Sequence, residues 1–176
     1  MWRRRHGVPV PTDFGAALLI DMQPEFVRLL EEQTRMRLVT AQAMVIRHCA
    51  RHDIPLVVIE LARRGITIDE LYGDINHVPR LARITKTGNS GFFGTGLQVT
   101  LKKLNVESLL LMGVNASACV MLTATGAISR GYTVITAPDL IADEQSILPY
   151  EAAVTDTWYR KNCIYAPGAL SLVEHF

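Results

Sequence analysis

The sequence lacks most of the features that would set it apart from ordinary globular proteins. No apolar run approaches the roughly 18 residues of a membrane span, so no membrane partner is expected. The formal net charge is only +1, which gives no electrostatic basis for binding nucleic acid or an acidic membrane. Cysteine is scarce: Cys49, Cys119 and Cys163 form no close pair. An odd, scattered set argues against a disulfide framework and for a reducing compartment, so a cytoplasmic location is expected. Phosphate-loop signatures are missing. Gly88, Gly91, Gly94 and Gly96 form no Gly-x-x-x-x-Gly-Lys run and have the wrong order for Gly-x-Gly-x-x-Gly. His48 and His52 stand one helical turn apart, but no third ligand is evident and the stretch reads as a cationic helix end. No cofactor is implied. Internal repeats and interdomain linkers are absent, so residues 1–176 read as a single domain. The start is basic, with Arg3-Arg4-Arg5, but prolines and Asp13 stand where a leader would be apolar. Residues 1–13 are therefore expected to be a tail rather than a secretory signal.

What is present is an alternation of short apolar runs and amphipathic stretches. Ala16–Ile20, Leu56–Ile59 and Ser108–Met112 are nearly unbroken apolar segments. Arg83–Lys86, Thr133–Thr136 and Cys163–Tyr165 are weaker strand candidates. Between them, residues 34–52 show helical spacing of Val39, Ala43, Ile46 and Ala50, and further helices are expected over 97–104, 118–129 and 147–160. Residues 61–80 read as a loop or short helix, and Gly113 is expected to end its strand. Strands without polar alternation are buried on both faces, which predicts a parallel sheet. The β-α-β order makes this a doubly wound α/β domain of about six strands, with helices on both faces.

Ligands of such sheets sit beyond the carboxyl ends of the strands. Asp21 ends the first run, Lys86 the third, and Cys119 follows the fourth at the start of a helix. Helix-start amides favour a thiolate and can bind an oxyanion. A carboxylate can take the thiol proton, and a neighbouring ammonium favours both anions. Each residue alone also has an ordinary structural reading; together they suggest one crevice. Phe26, Phe92 and Phe93 could form an apolar pocket wall or pack in the core, and Cys49 and Cys163 read as packing.

These residues also carry a resemblance. Asp21-Met22-Gln23 with Phe26, Lys86 followed by Ser90-Gly91-Phe92-Phe93-Gly94-Thr95-Gly96-Leu97, and Gly113-Val114 followed by Cys119-Val120 resemble the motifs of the isochorismatase-like cysteine hydrolases. Gly131-Tyr132-Thr133-Val134 and Asp139 resemble the next strand and its acidic position. That family includes nicotinamidase and N-carbamoylsarcosine amidase. The resemblance implies a catalytic triad of Asp21, Lys86 and Cys119 and a cis peptide between Val114 and Asn115. It also implies an oxyanion hole from the main-chain N–H groups of Asn115 and Cys119.

Some positions depart from the family. The Asp-x-His pair and later His that bind metal in nicotinamidases are replaced by Glu60-Leu61-Ala62-Arg63-Arg64-Gly65, so no metal is expected. Ala116 stands where a threonine is common. Isochorismatases proper lack the cysteine, which argues against ether cleavage here. The resulting expectation is a metal-independent hydrolase of a small amide, ureido or carbamoyl compound, probing a small-molecule pocket and assembling as a homo-oligomer. A non-catalytic binder or scaffold, and a redox role for an exposed low-pKa thiol, are the rival readings.

Overall fold

A computed structural model of the chain describes residues 13–173, together with the backbone of residues 2–5 and 8–11. Strands β1 (Trp2–Arg5) and β2 (Val8–Pro11) pair antiparallel as a separate two-stranded ribbon. The expected tail is thus partly ordered as strand. Val8 and Val10, alternating with Pro9 and Pro11, favour extended backbone on an edge.

The main sheet has seven strands: β3 (Ala16–Ile20), β4 (Leu56–Leu61), β5 (Leu81–Lys86), β6 (Ser108–Val114), β7 (Thr133–Thr136), β8 (Ile141–Ala142) and β9 (Ile164–Tyr165). Every pairing in it is parallel. The spatial order is β5-β4-β3-β6-β7-β9, with β8 beside the end of β6. All five residues of β3 are buried, and successive ones feed opposite layers. Ala17 and Leu19 join an apolar layer that includes Val58, Leu110 and Met112. Ala16, Leu18 and Ile20 join a second layer with Val57, Ile59 and Leu111. This period of two, with both faces apolar, is why the run shows no polar alternation. Each fully buried Leu or Ile contributes roughly 2 kcal/mol.

Helices α1 (Pro24–Val27), α2 (Glu32–Arg51), α3 (Asp69–Ile75) and α7 (Leu170–Val173) cover the first layer through residues such as Leu38, Ile46, Leu71 and Leu172. The second layer is covered by α4 (Leu97–Leu104), α5 (Met121–Ile128) and α6 (Pro149–Asn162) through Leu97, Leu101, Ala124 and Tyr159. A π-helical turn, Ala116–Val120, precedes α5, so the helix expected from residue 118 begins earlier and in a wider form. Among the described residues no helix is long and apolar enough to cross a membrane.

The chain winds outward from β3 through β4 to β5, then returns to lay β6 on the other side of β3. The winding direction therefore reverses between β3 and β6, where a doubly wound sheet opens its ligand crevice. Gly113 does not end its strand as expected. It lies within β6, opposite Ile20, with φ +141°. A Cβ there would stand 2.1 Å from the Ile20 carbonyl oxygen. Hence Gly113→Ala should forfeit about 3 kcal/mol or more of stability, read as a lower urea midpoint. A midpoint equal to that of the native chain would show that the two backbones can separate freely.

Candidate active site

Asp21, Lys86 and Cys119 converge at this crevice. Asp21 follows β3 in a left-handed conformation, φ +53°, which Asp adopts more readily than most residues. Its amide donates to the Ile59 carbonyl at 2.9 Å, so the carboxylate is held at the sheet edge and only 1% exposed. Lys86 is the last residue of β5, in register with Leu61 of β4. Since β4 lies between β3 and β5, the two backbones are about 10 Å apart, and a long side chain is needed to close the gap. Lys86 is fully buried and puts its Nζ 2.8 Å from Asp21 Oδ2. The same ammonium donates to the Gly88 carbonyl at 3.1 Å and lies 3.6 Å from Cys119 Sγ.

Cys119 sits on the π-helical turn and is partly exposed. The Thr123 hydroxyl donates to the Cys119 carbonyl at 2.7 Å and accepts from the Gly91 N–H at 2.9 Å. That bridge ties the turn to the glycine-containing loop expected over residues 88–96. The loop also brings Asn89, whose Oδ1 lies 3.9 Å from Cys119 Sγ.

Electrostatics set the resting protonation. Burial raises the Asp21 pKa above its ordinary value, against the lowering influence of the Lys86 ammonium, the Cys119 thiol and the Leu61 N–H. The Cys119 thiol is pushed up to about 11, first by burial and then by the Asp21 charge, with Lys86 opposing. The helix-start amides therefore do not leave a ready thiolate, contrary to expectation. At neutral pH the resting sulfur is a neutral thiol, with the Asp21 carboxyl group beside it. Cys49 and Cys163 are pushed up to about 12 by burial, as suits packing residues.

The remaining expected residues are distributed as follows. The Val114–Asn115 peptide is cis, and Asn115 immediately precedes the π-helical turn. Phe26 is half-buried against the first apolar layer. Phe92 is packed in the second layer, with the Arg130 guanidinium 4.5 Å from its centroid. Gly126 leaves room for that ring, since a Cβ there would come within 2.9 Å of it. Phe93 is 78% exposed. Asp139 is structural, accepting from the Ala169 N–H at 2.9 Å. Glu60 accepts from the Thr67 N–H and hydroxyl at 2.7 and 2.8 Å. Among the described residues no cluster of His, Cys, Asp and Glu could hold a metal ion.

Sequence reasoning missed the bonding role of Gln23. It is fully buried, donates to the Leu61 and Gly65 carbonyls at 2.9 and 2.7 Å, and accepts from the Leu61 N–H at 2.8 Å. It thereby clamps the start of the 61–68 segment beside Asp21. Its place within Asp21-Met22-Gln23 was the available signal. Asn89 carried none, because its reach to the sulfur depends on how the loop folds.

Residues 15–156 match the model of the isochorismatase domain. The chain belongs to the isochorismatase family. Among solved structures, it resembles N-carbamoylsarcosine amidase of Thermoplasma acidophilum, with 25% identity, 85% of this chain and 94% of that one covered, and a TM-score of 0.70. The YcaC protein of Escherichia coli, an octameric hydrolase of unknown specificity, shares the fold with a TM-score of 0.76 at 18% identity, over 97% of this chain and 82% of that one. Among curated proteins, the secreted isochorismatase effector Isc1 of Verticillium dahliae is 31% identical over 83 residues, 47% of this chain and 44% of Isc1. The family protein PncA of Bacillus subtilis is 32% identical over 72 residues, 41% of this chain and 39% of PncA. The matched segment thus spans less than half the length of either curated relative.

The charge arrangement of this family member's site is testable without a substrate. In Asp21→Asn the charge that disfavours the thiolate is gone, and the Lys86 ammonium keeps the sulfur as its anionic partner. The midpoint of iodoacetamide alkylation at Cys119, mapped by mass spectrometry, should fall from about 11 by about one to two pH units. An unmoved or raised midpoint would mean that Asp21 does not sense the thiol.

Proposed function

We propose that this isochorismatase-family hydrolase cleaves the C–N bond of a small amide, ureido or carbamoyl compound through a thioester on Cys119, without a metal. The observation that carries the reading is the meeting of Asp21, Lys86 and Cys119, with Lys86 Nζ 2.8 Å from the acid and 3.6 Å from the sulfur.

The chemistry follows from the protonation state. A thiol held near 11 is a poor nucleophile until a base removes its proton, and Asp21 is that base. Burial makes its carboxylate more basic than usual. As the proton passes to Asp21, the sulfur attacks the carbonyl carbon and the carbonyl oxygen becomes an oxyanion. The main-chain N–H groups of Asn115 and Cys119 stabilise that charge. Asp21 then returns the proton to the departing nitrogen, and the C–N bond breaks to leave an S-acyl enzyme. Water, deprotonated by the same carboxylate, cleaves the thioester and restores the thiol. Lys86 supplies the fixed positive charge that keeps Asp21 ionised before substrate binds and offsets anionic charge on sulfur. A redox role would call for a low-pKa thiol, and burial here acts in the opposite direction.

The proposal includes a cytoplasmic setting, supported by three free cysteines. It also includes self-assembly. Phe93 and Val99, on the glycine loop and α4, are 78% and 57% exposed, and sedimentation should show a dimer or larger species. A monomer at all concentrations would remove that part.

Cys119→Ala should retain the native circular dichroism spectrum and release no ammonia or amine from a panel of amides and ureido compounds that the native chain hydrolyses. Turnover that survives this substitution would overturn the mechanism. The acid limb of kcat/KM should also lie above the ordinary carboxylate range, because Asp21 must be ionised to act and its pKa is raised. A limb at or below that range would exclude Asp21 as the base.

A further inference from the structure

We infer that Tyr159 and Asp143 are positioning residues that aim the nucleophile, because together they pin both ends of the peptide group joining Ala116 to Ser117. The inference rests on the reading of Cys119 as the attacking group.

Tyr159 is fully buried on α6, and its hydroxyl donates to the Ala116 carbonyl at 2.6 Å across 43 residues of chain. Its ring is fixed by the Trp158 edge, with centroids 5.1 Å apart, and by stacking on Tyr165 at 6.1 Å. Helix α6 buries little else: Thr155 is its other buried residue, while Tyr150 and Val154 are exposed. The helix is docked through the same side chain that grips the turn.

Asp143 approaches from the opposite end of the same peptide group. Its Oδ1 accepts from the Ser117 N–H at 2.8 Å and from the Ser117 hydroxyl at 2.6 Å. Strand β8 ends just before Asp143 and is paired to the tip of β6, Gly113 with Ile141 and Val114 with Ala142. The carboxylate is thus placed from the strand that leads into the nucleophile turn.

The carbonyl of residue 116 and the N–H of residue 117 belong to one planar unit. Held at both ends, that unit cannot rotate. The amides assigned to the oxyanion, those of Asn115 and Cys119, flank it in the chain. The neighbouring amides of Ala118 and Val120 are already committed to the Asn115 carbonyl at 3.1 and 3.2 Å. The π-helical turn is a single turn with wider i→i+5 bonds, and its orientation is also set from outside. Tyr159 and Asp143 do this, while Thr123 holds the Cys119 carbonyl from within.

The test compares Tyr159→Phe, Asp143→Ala and Asp143→Asn in the full chain. Tyr159→Phe removes a single oxygen, and Asp143→Asn keeps a carbonyl acceptor for Ser117. On an amide hydrolysed by the native chain, Tyr159→Phe and Asp143→Ala should lower kcat about tenfold or more, with KM within about twofold, as expected of misaimed reacting groups. Asp143→Asn should recover most of the loss. In parallel, the Cys119 alkylation midpoint should fall from about 11 toward that of an ordinary thiol in the two damaging variants, as the sulfur loses its enclosure. A lowered melting temperature with unchanged kcat and an unchanged alkylation profile would overturn the inference, leaving both residues as mere supports. Asp143→Asn as impaired as Asp143→Ala would overturn the role of the Ser117 contact. Turnover surviving in Cys119→Ala would sink the hydrolytic reading instead. The alkylation arm needs no substrate and would still decide whether the two side chains aim the thiol.

Discussion

A buried ion pair organises this molecule's crevice. Lys86 and Asp21 have no appreciable exposure, and removing two charges from water costs several kcal/mol for each ion. Their mutual attraction offsets part of that, and the Gly88 carbonyl accepts a hydrogen bond from the ammonium. Such a pair is weak evidence for stability, since apolar residues of similar volume often serve a fold better. Its presence makes sense through its neighbour. Burial pushes the Asp21 carboxyl toward its protonated form, and the Lys86 ammonium pulls it back toward the ionised form in which, on the proposed mechanism, it accepts a proton from sulfur. The desolvation that raises the carboxylate's basicity and the charge that favours its ionised form oppose one another at 2.8 Å.

The sheet makes that balance geometrically available. Reversal of winding between β3 and β6 opens a gap in which Asp21 and the turn bearing Cys119 face each other. Lys86 is two strands away from Asp21, and its tetramethylene stem spans the width of β4. A short cation on β5 could not reach, and an acid on β5 could not replace it without repulsion from Asp21. Residue type and strand order are therefore linked: the long cation belongs on the distant strand.

Much of this was legible in the sequence because the three residues end or follow apolar runs. Ala16–Ile20 stops at Asp21, the short and more polar strand candidate Arg83–Lys86 ends at Lys86, and Ser108–Met112 leads toward the turn bearing Cys119. Apolar burial on both faces of β3 made the parallel sheet readable as well. Other features depend on tertiary context. Strand β8 is only two residues long, too short for any periodicity, and so its pairing and the placement of Asp143 could not be seen. Gly113 read as a strand end because glycine usually punctuates; here the near contact with Ile20 is what demands it. Phe92 read equally as pocket or core, and its packing against Gly126 could be seen only in the folded chain. The thiol's acidity was misjudged for a similar reason: local helix geometry was visible, whereas the enclosure that outweighs it was not.

The close approach of Gly113 to Ile20 has a consequence for how such a protein can diverge. At the point where the two halves of the sheet join, main chain meets main chain with no side chain to trim or enlarge. The floor of the cleft is consequently rigid in an evolutionary sense, and substrate preference has to be remodelled in its walls. The segments nearest the three side chains, 61–68 held by Gln23 and 88–96 carrying Asn89, can change without touching the join. Chains that keep this join can differ in those segments while their sheets remain superimposable.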